Sequence, residues 1–449
     1  MFEQLDTDYL VIGAGASGMA FADEVVSRCK RARIIMVDRR AAPGGHWNNA
    51  YQFVTLHQPA LYYGVNSERL ERFREDLASG EDIVAYYARV LDKLCATGRV
   101  QFFGQCEYQG EGRFESQVGD GRTYQVIVQR RVVDATDYGV TVPSMRPPEY
   151  GVAEGIHCVP INALAAIDED WSRYVVVGAG KTGIDAVLRL LDMGTEPDRI
   201  TWIVSNDAWL INRDMMVPEM TAKSMQGQLR ETCLSTGVED YFRRFEAHGW
   251  FLRVDPSVPT AAFRCATVNL QELEALRRVR DVVRMGRVRS IEAAEIVLDR
   301  GSIPTSSEIL HVDCTANGLA HRPSRPVFDG PRIVLQPVNF CQPAMSAALI
   351  GYIETEKMTD DRRNRLTKPC PHPTVPLDYF VTVKAMADNM VAWPLGVVWW
   401  MLRQRLSLLA HLSIWSKLHL LFSLMRWFAA SRIKADEFIR ELEGCEQDA

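Results

Sequence analysis

Two glycine-rich turns constrain the fold of this chain more than any other feature. The first lies in YLVIGAGASGMA, from Tyr9 to Ala20, and the second lies in YVVVGAGKTGID, from Tyr174 to Asp185. In each, G-x-G-x-x-G follows an apolar run, a spacing that allows a sharp turn, a close approach of backbone to a pyrophosphate, and packing of a new helix on the strand. Two such units predict an α/β fold with two Rossmann-like dinucleotide-binding domains.

The strands that follow the two turns end differently. RIIMV, from Arg33 to Val37, is followed by Asp38, an acid placed to accept hydrogen bonds from an adenosine ribose. RITWIV, from Arg199 to Val204, is followed by Ser205 and, further on, Arg213. A serine with a nearby cation tolerates a ribose 2′-phosphate that an acid would repel, so the second site is predicted to prefer NADPH over NADH, although Asp207 lies between the two residues.

A loop rich in glycine and aromatic residues follows the first ribose-binding position. Gly44-Gly45-His46-Trp47 is typical of backbone that lies against a flat ligand. The next segment carries His57 and Gln58. His57 is either an internally satisfied loop histidine or a functional group near the nucleotide, and the sequence leaves both interpretations open.

The rest of the chain suggests how the domains are divided. RVVDAT at 131–136 and DCTANGL at 313–319 resemble each other, and a proline-rich stretch at 142–150 is typical of a linker. We predict a first domain from 1–150 and 310–355, a second from 151–309 inserted into it with a helical cap around 215–263, and a helical C-terminal extension from 356–449. Val100–Tyr108 is predicted to be one strand and Leu270–Arg284 one helix. A helix of small residues opens near Gln342, a good place for an electron-rich ring carbonyl.

Charge and cysteine spacing exclude several classes of function. The chain has 449 residues and a net charge of −6, which gives no indication of a nucleic-acid partner. Its first residues are polar and acidic, so no signal peptide is predicted. The ten cysteines have no C-x-x-C or similarly short spacing. We therefore expect most of them to be reduced core residues of a cytoplasmic protein, with neither a zinc cluster nor a redox dithiol.

The C-terminal segment is rich in tryptophan and leucine. Residues 390–430 contain five tryptophans with basic residues spaced among them, and the longest charge-free run, Asn389–Leu402, is too short to span a bilayer. Packing on the core, contact with a membrane surface and homodimerisation all remain open for this segment.

These motifs together resemble those of the class B flavin monooxygenases, the group of flavin-containing, Baeyer–Villiger and N-hydroxylating enzymes. The resemblance extends from Asp8 to about Glu354 and rests on both fingerprints, the GG-x-W loop, the VVDAT strand, G-x-T-G-x-D at Gly180–Asp185 and DCTANG. It implies FAD at the first fingerprint, NADPH at the second and the GG-x-W loop beside the flavin. The implied cofactor-binding residues are Gly13, Gly15, Ser17, Gly18, Asp38, Arg39, Gly45, His46, Trp47, Cys106, Ala135, Thr136, Gly178, Gly180, Lys181, Thr182, Gly183, Ser205, Arg213, Asn317 and Gln342.

The resemblance also implies a reaction. We expect an FAD- and NADPH-dependent oxidoreductase, and within that class a monooxygenase that uses O2 and a flavin C4a-oxygen adduct to oxygenate a small organic substrate. His57 and Gln58 stand where related enzymes place an active-site asparagine, and they are the predicted catalytic residues. The F-x-G-x-x-x-H signature of the family is not cleanly present. A flavin oxidase or dehydrogenase and a non-catalytic FAD-binding protein are the alternatives, whereas the absence of a cysteine pair beside either fingerprint argues against the disulfide reductases of the same fold.

Overall fold

The computed structural model describes residues 3–73, 77–119, 121–167, 170–316, 318–320 and 322–447, with side chains described as far as 441. Its first part forms a parallel sheet centred on the strand that leads into the first glycine turn. That strand, β1, pairs in parallel with β2 and β6, and a short β4–β5 hairpin leads into β6. The elements are β1 (Glu3–Ile12), α1 (Ala16–Arg28), β2 (Ile34–Val37), α2 (Gly80–Ala96), β3 (Val100–Phe103), β4 (Cys106–Gly110), β5 (Arg113–Ser116) and β6 (Thr123–Asp134).

The prediction of a single strand over Val100–Tyr108 is wrong, because Gly104 and Gln105 interrupt it and separate β3 from β4. A Cβ at Gly104 would lie 2.8 Å from the carbonyl oxygen of Ala41, and Gln105 adopts a φ of 53°. The chain turns here so that β4 can leave the sheet edge and form the hairpin.

The middle of the chain forms a second parallel sheet with two smaller sheets around it. The five parallel strands have the order β14-β10-β9-β18-β8. The elements are β7 (Gly151–Val152), β8 (His157–Pro160), β9 (Arg173–Val177), α3 (Lys181–Asp192), β10 (Ile200–Ile203), β11 (Ala208–Asn212), α4 (Pro218–Leu234), α5 (Val238–Ala247), β12 (Phe251–Leu252), β13 (Ala262–Val268), α6 (Leu270–Leu276), β14 (Asp281–Val283), β15 (Val288–Ile291), β16 (Glu295–Leu298), β17 (Gly301–Pro304) and β18 (Ile309–Asp313).

The structure corrects two expectations in this region. The helix predicted over Leu270–Arg284 ends at Leu276, and Asp281–Val283 forms an edge strand parallel to β10, since pairing with the sheet overrides local helix preference. Strand β18, expected to begin the return to the first domain at residue 310, pairs with β8 and β9 in the second sheet. The chain regains the first sheet only at Phe328.

The last part of the chain completes the first sheet and then becomes helical. Its elements are β19 (Phe328–Asp329), β20 (Arg332–Val334), α7 (Pro343–Thr355), α8 (Asp360–Leu366), α9 (Pro376–Ala392), α10 (Leu395–Met401) and α11 (Ile414–Gln447). Strand β20 pairs in parallel with β6. A Cβ at Gly351 of α7 would lie 3.2 Å from the carbonyl oxygen of Phe21, so α7 packs closely on α1. The predicted fold class, two Rossmann-like units with the second between parts of the first and a helical C-terminal region, is confirmed.

Buried polar contacts fasten the C-terminal helices to the first unit. The indole Nε1 of Trp400 donates a 2.8 Å hydrogen bond to Glu24 Oε1 on α1. The guanidinium of Arg405 donates to the carbonyl oxygens of Tyr63 and Val65. A buried aromatic cluster formed by α5, β13, α9 and α11 joins the expected cap to the C-terminal helices. Among the described residues, no helix is long and apolar enough to cross a membrane.

Candidate functional site

The first glycine turn has the geometry of a phosphate-binding site. Gly13 adopts a φ of 99°, and a Cβ on Gly18 would lie 2.0 Å from the Gly13 carbonyl oxygen, so both positions require glycine. Helix α1 begins after Gly15 with no side-chain cap and no acid in its first turn, where Ser17 is buried. Its first amides are therefore available to an anionic group at the helix N-terminus.

Asp38 and Cys106 lie together beside this turn. Asp38 follows β2, and its carboxylate accepts hydrogen bonds from the backbone N–H groups of Ala14 (2.7 Å) and Arg40 (2.8 Å). The backbone N–H of Cys106 donates to the Asp38 carbonyl oxygen at 3.0 Å. Arg39 is largely exposed, with its Nε 3.7 Å from Glu107. The predicted ribose acid therefore also braces the turn itself.

The GG-x-W loop closes over the first turn. The N–H of Gly44 donates to the carbonyl oxygen of Ala14 at 2.9 Å. A Cβ on Gly45 would lie 3.1 Å from the Gly15 Cα, so the two backbones nearly touch. Trp47 Nε1 donates to the hydroxyl of Tyr63 at 2.7 Å. Burial, with Arg40 nearby, lowers the pKa of His46 to about 4, which keeps its imidazole neutral at physiological pH.

Three further predicted residues adjoin the first unit, and a fourth lies outside the described residues. Thr136 Cγ2 would lie 3.2 Å from a Cβ on Gly13, and the N–H of Ala135 donates to the Ile12 carbonyl oxygen at 2.9 Å. Gln342 is buried at the start of α7 and accepts a 2.9 Å hydrogen bond from Asn339 Nδ2. Asn317 lies outside the described residues.

The second glycine turn has the same backbone geometry as the first, but the space beside its middle glycine is open. Gly178 adopts a φ of 123°, and a Cβ on Gly183 would lie 2.0 Å from the Gly178 carbonyl oxygen. Among the described residues, none would lie within 4 Å of a Cβ on Gly180. Lys181, at the start of α3, pairs with Asp185, which also accepts a hydrogen bond from Tyr51 in the loop after GG-x-W; Thr182 is half-buried beside it. The two units therefore touch through the loop that leads to His57.

The carboxyl edge of the second sheet carries a recess with unexpected cations. It is lined by Ala179 of the glycine turn together with Asp207, Arg253, Asp255 and Arg284, among others. Arg284 donates to Asp207 at 2.9 Å and lies 3.5 Å from Asp255.

Arg213, the cation expected beside Ser205, is nearly buried and pairs with Glu272, its Nη1 lying 3.0 Å from Glu272 Oε1. Ser205 is half-buried at the end of β10. The basic side chains of the recess are therefore Arg253 and Arg284, which the sequence pattern did not single out.

His57 lies where the two units meet. Thr267 of β13 donates its hydroxyl to the His57 carbonyl oxygen. Burial lowers the pKa of His57 to about 3, and the positive charges of Lys181 and Arg213 act in the same direction, as do His372 and His46. Gln58 is half-buried beside it. A neutral imidazole is thus held near Lys181 and Arg213 of the second unit, an arrangement suited to anionic ligands and to hydrogen bonding without proton uptake.

Cys265 and Cys341 form a disulfide across 76 residues of sequence, whereas the other seven cysteines of the described residues are free, as expected for most of them. Such a pairing has no signature in short spacing, so sequence inspection could not find it. His372, which lies 3.8 Å from Cys341 Sγ, was also missed.

Comparison with known proteins identifies relatives of this chain and structures that share its fold. The chain is 45% identical over 426 residues to the uncharacterized protein Rv2000 of Mycobacterium tuberculosis, and equally to the uncharacterized protein Mb2023 of Mycobacterium bovis. Each match covers 91% of this chain and 79% of the relative. The chain belongs to the family of these mycobacterial proteins.

Two broader comparisons concern the fold. Residues 11–73 of this family member match the model of the NAD(P)-binding Rossmann-like domain. The open crystal structure of cyclohexanone monooxygenase superposes with a TM-score of 0.50 at 13% identity, covering 78% of this chain and 88% of that one. Its ε-caprolactone-bound form gives 0.51 at 15% identity with the same coverage. The flavin-monooxygenase-like fold implied by the sequence motifs is therefore confirmed.

Proposed function

We propose that this protein is an FAD- and NADPH-dependent oxidoreductase, and within that class a single-component monooxygenase acting with O2 on a small organic substrate. The observation that carries the proposal is the meeting of two dinucleotide turns, one closed and one open, at His57. A closed site suits a cofactor that stays bound, and an open site suits one that must enter and leave in each cycle.

The residues of the first unit fit FAD. The backbone around Gly15 and the free amides of α1 would hold the pyrophosphate, and Asp38 with Cys106 would border the adenosine. The N-terminus of α7 at Gln342 is suited to a ring carbonyl. FAD bound there supplies hydride acceptance and oxygen activation, which no side chain of the protein can provide.

The residues of the second unit fit NADPH. The start of α3 offers free amides and the ammonium of Lys181 to a pyrophosphate. The recess with Arg253 and Arg284 lies at the carboxyl edge of the sheet, where the adenosine half of a dinucleotide binds in this fold. Arg284 already neutralises Asp207, so that carboxylate does not bar a 2′-phosphate.

His57 and Gln58 would act where the two cofactors approach each other. Because its pKa is low, His57 stays neutral and can donate one hydrogen bond and accept another. The amide of Gln58 can do the same. We propose that these side chains hold the reacting oxygen in place and exclude water, while Arg213 is fixed near His57 by its ion pair with Glu272.

The test begins with anaerobic addition of NADPH to purified, flavin-loaded protein. The reduced protein is then exposed to 18O2 in the presence of one of three probe substrates: cyclohexanone, a thioether or a tertiary amine. The proposal expects bleaching of the flavin and one labelled oxygen atom in a product. Bleaching followed by stoichiometric peroxide, with no labelled product from any probe, would favour the oxidase alternative. A flavin that NADPH cannot bleach would leave only a flavin-binding protein.

A further inference from the structure

The Cys265–Cys341 disulfide joins the two units at their meeting point. Cys265 lies on β13 of the small sheet beside the second unit, and Cys341 lies directly before the buried Gln342 that begins α7. Cys265 has a φ of 55° and Phe340 a φ of 47°, two of the four non-glycine residues with positive φ in the described chain. Backbone strain of this kind persists only where the surrounding structure imposes it.

A third reactive group completes the cluster. The Nδ1 atom of His372 lies 3.8 Å from Cys341 Sγ. One ring nitrogen of His372 and the two cysteine sulfur atoms all lie within 4.8 Å of one another. Cys265 is buried, whereas Cys341 and His372 are partly exposed. An imidazole beside the more exposed sulfur is suited to moving a proton to and from that sulfur.

The cluster adjoins the site of the proposed flavin chemistry. Thr267, two residues after Cys265, donates its hydroxyl to the backbone of His57. His372 is close enough to His57 to lower its pKa. The disulfide therefore lies between the α7 N-terminus, suited to the flavin ring, and the histidine where both units converge.

We propose that Cys265 and Cys341 are a redox-active pair that accepts electrons from the flavin site and passes them to a disulfide substrate, with His372 as its acid–base group. The proposal rests on the proposed function for its reductant, NADPH. Reduction breaks the Sγ–Sγ bond; NADPH gives two electrons and one proton, solvent gives the second proton, and two thiols and NADP+ result. The Cys341 thiolate then attacks the disulfide substrate, and Cys265 displaces the resulting mixed disulfide, releasing two thiols and restoring the pair.

The test counts electrons and thiols in anaerobic, flavin-loaded protein. Wild type and the control Cys95→Ser are expected to take up two equivalents of NADPH per flavin, since the pair and the flavin are each two-electron couples. Cys265→Ser and Cys341→Ser are expected to take up one. Alkylation and mass spectrometry should show Cys265 and Cys341 newly labelled after NADPH, and His372→Gln should slow that labelling without lowering flavin content.

A second arm separates this proposal from the proposed function. The bound flavin is reduced by light and EDTA instead of NADPH, and the thiols are counted again. New labelling in this arm alone would support the pair while rejecting NADPH as the donor. A bleached flavin with the disulfide intact in both arms would overturn the redox role. One equivalent of tightly held zinc, lost in all three variants, would overturn it in favour of a metal site.

Treatment of reduced Cys265→Ser with hydroxyethyl disulfide should trap a mixed disulfide at Cys341.

A separate observation concerns helices α10 and α11, which leave large apolar side chains in solvent. On α11, Trp415, Leu418, Phe422 and Met425 are 51–72% exposed, and their spacing of three or four residues puts them on one side of the helix. On α10, Leu395 is 87% exposed and Trp399 is 62% exposed. Monomeric soluble proteins rarely expose such a group of residues without a binding role.

The same segment is strongly basic. Between Asp388 and Asp436 the sequence has six lysines and arginines and no acid, although the whole chain has a net charge of −6. Three of them pair with acids outside that stretch, and the other three are Arg403, Lys417 and Arg426. The guanidinium of Arg403 lies 5.5 Å from the ring centre of Trp399, and that of Arg426 lies 4.8 Å from the ring centre of Trp427. Cations beside tryptophans on an apolar surface match the interface of an anionic bilayer, whereas a symmetric contact between two copies would bring like charges together.

We infer that the apolar face of α11, formed by Trp415, Leu418, Phe422 and Met425, binds the surface of an anionic membrane without crossing it. The test is co-sedimentation with vesicles of phosphatidylcholine alone or mixed with phosphatidylglycerol. Binding is expected only to the mixed vesicles, weakening roughly fivefold for each of Lys417 and Arg426, on α11 itself, changed to Gln. Trp415→Ser with Phe422→Ser should abolish it, and the control Leu270→Ser should not. Absence of binding, or a dimer in sedimentation that the same double variant dissociates, would overturn the inference.

Discussion

The two glycine turns share one backbone plan but differ in what lies in front of them. In both, the third glycine packs against the carbonyl of the first, with a Cβ placed 2.0 Å from that oxygen. In front of the first turn, Gly45 nearly touches Gly15, whereas no atom of the part of the chain that the structure describes lies within 4 Å of a Cβ on Gly180. The fold therefore requires the first and third glycines of both turns. The surroundings of the middle glycine differ, because Gly15 faces a closed site and Gly180 an open one.

The most severe test of this comparison substitutes the middle glycine of each turn. Gly15→Val would force branched carbons between α1 and Gly45, where backbone must also meet a pyrophosphate, so we expect colourless protein with little bound flavin. Gly180→Val has free space around it, so we expect yellow, folded protein whose Kd for NADPH rises roughly tenfold or more, about 1.4 kcal/mol. Flavin content after gel filtration and NADPH titration measure the two effects. Equal flavin loss in both variants would remove the distinction between the sites.

The second prediction concerns the cations of the open site. Arg284→Gln removes the partner of Asp207 and leaves a bare carboxylate in the recess. One charge-assisted contact contributes about 1.5–3 kcal/mol, so the preference of flavin reduction for NADPH over NADH should fall by roughly tenfold or more. Arg289→Gln, an exposed arginine paired with Asp299, is the matched control. An unchanged cofactor ratio in Arg284→Gln would place the 2′-phosphate elsewhere.

The third prediction concerns the junction between the sites. His57→Ala or Gln58→Ala should leave flavin content and NADPH reduction nearly intact, because neither residue belongs to a glycine turn. Losing one hydrogen bond, about 1 kcal/mol, should raise the fraction of NADPH electrons released as peroxide by roughly fivefold. Peroxide yield and stopped-flow reoxidation measure this. If the variants instead lose flavin or stability with unchanged peroxide yield, both residues only build the loop.

The smallest expected effect is on stability against pH. Because the pKa of His57 falls from 6.5 unfolded to about 3 folded, the unfolded chain binds the extra proton between these values. This residue therefore lowers stability progressively as pH falls from about 7 towards 3, and His46 acts in the same direction. Between pH 7 and pH 5, the Tm of His57→Gln should fall by less than the Tm of wild type. The Tm of the control His419→Gln, at an exposed position, should fall by as much as that of wild type. A wild-type slope in His57→Gln would mean that His57 is protonated in the native protein.

The sequence predicted the parts of the fold that local chemistry dictates. Glycine spacing, apolar strands and the GG-x-W loop specify backbone that must turn or approach within a few residues, and all of these lie in the expected places. Local patterns gave the wrong result where a distant partner decided the structure. Residues 281–283 pair with β10 as an edge strand, and after β3 a side chain at Gly104 would collide with the carbonyl oxygen of Ala41.

The candidate site shows the same limit. Residues of a single motif, such as Lys181 and Trp47, could be named in advance. The Cys265–Cys341 bond, its neighbour His372 and the recess arginine Arg284 come from segments far apart in the chain. Only the folded sheet brings them together, so no spacing rule could have found them.

The hydrogen bond from Trp400 to Glu24 has a consequence for the evolution of this family. It joins a residue from near the start of the chain to one 376 positions later, and both side chains are buried. A lineage that shed the C-terminal helices would leave the Glu24 carboxylate short of a donor on the helix that begins at the first glycine turn. We therefore expect the two positions to change together among relatives, so that loss of the tryptophan accompanies an apolar or shorter residue at the acid's place.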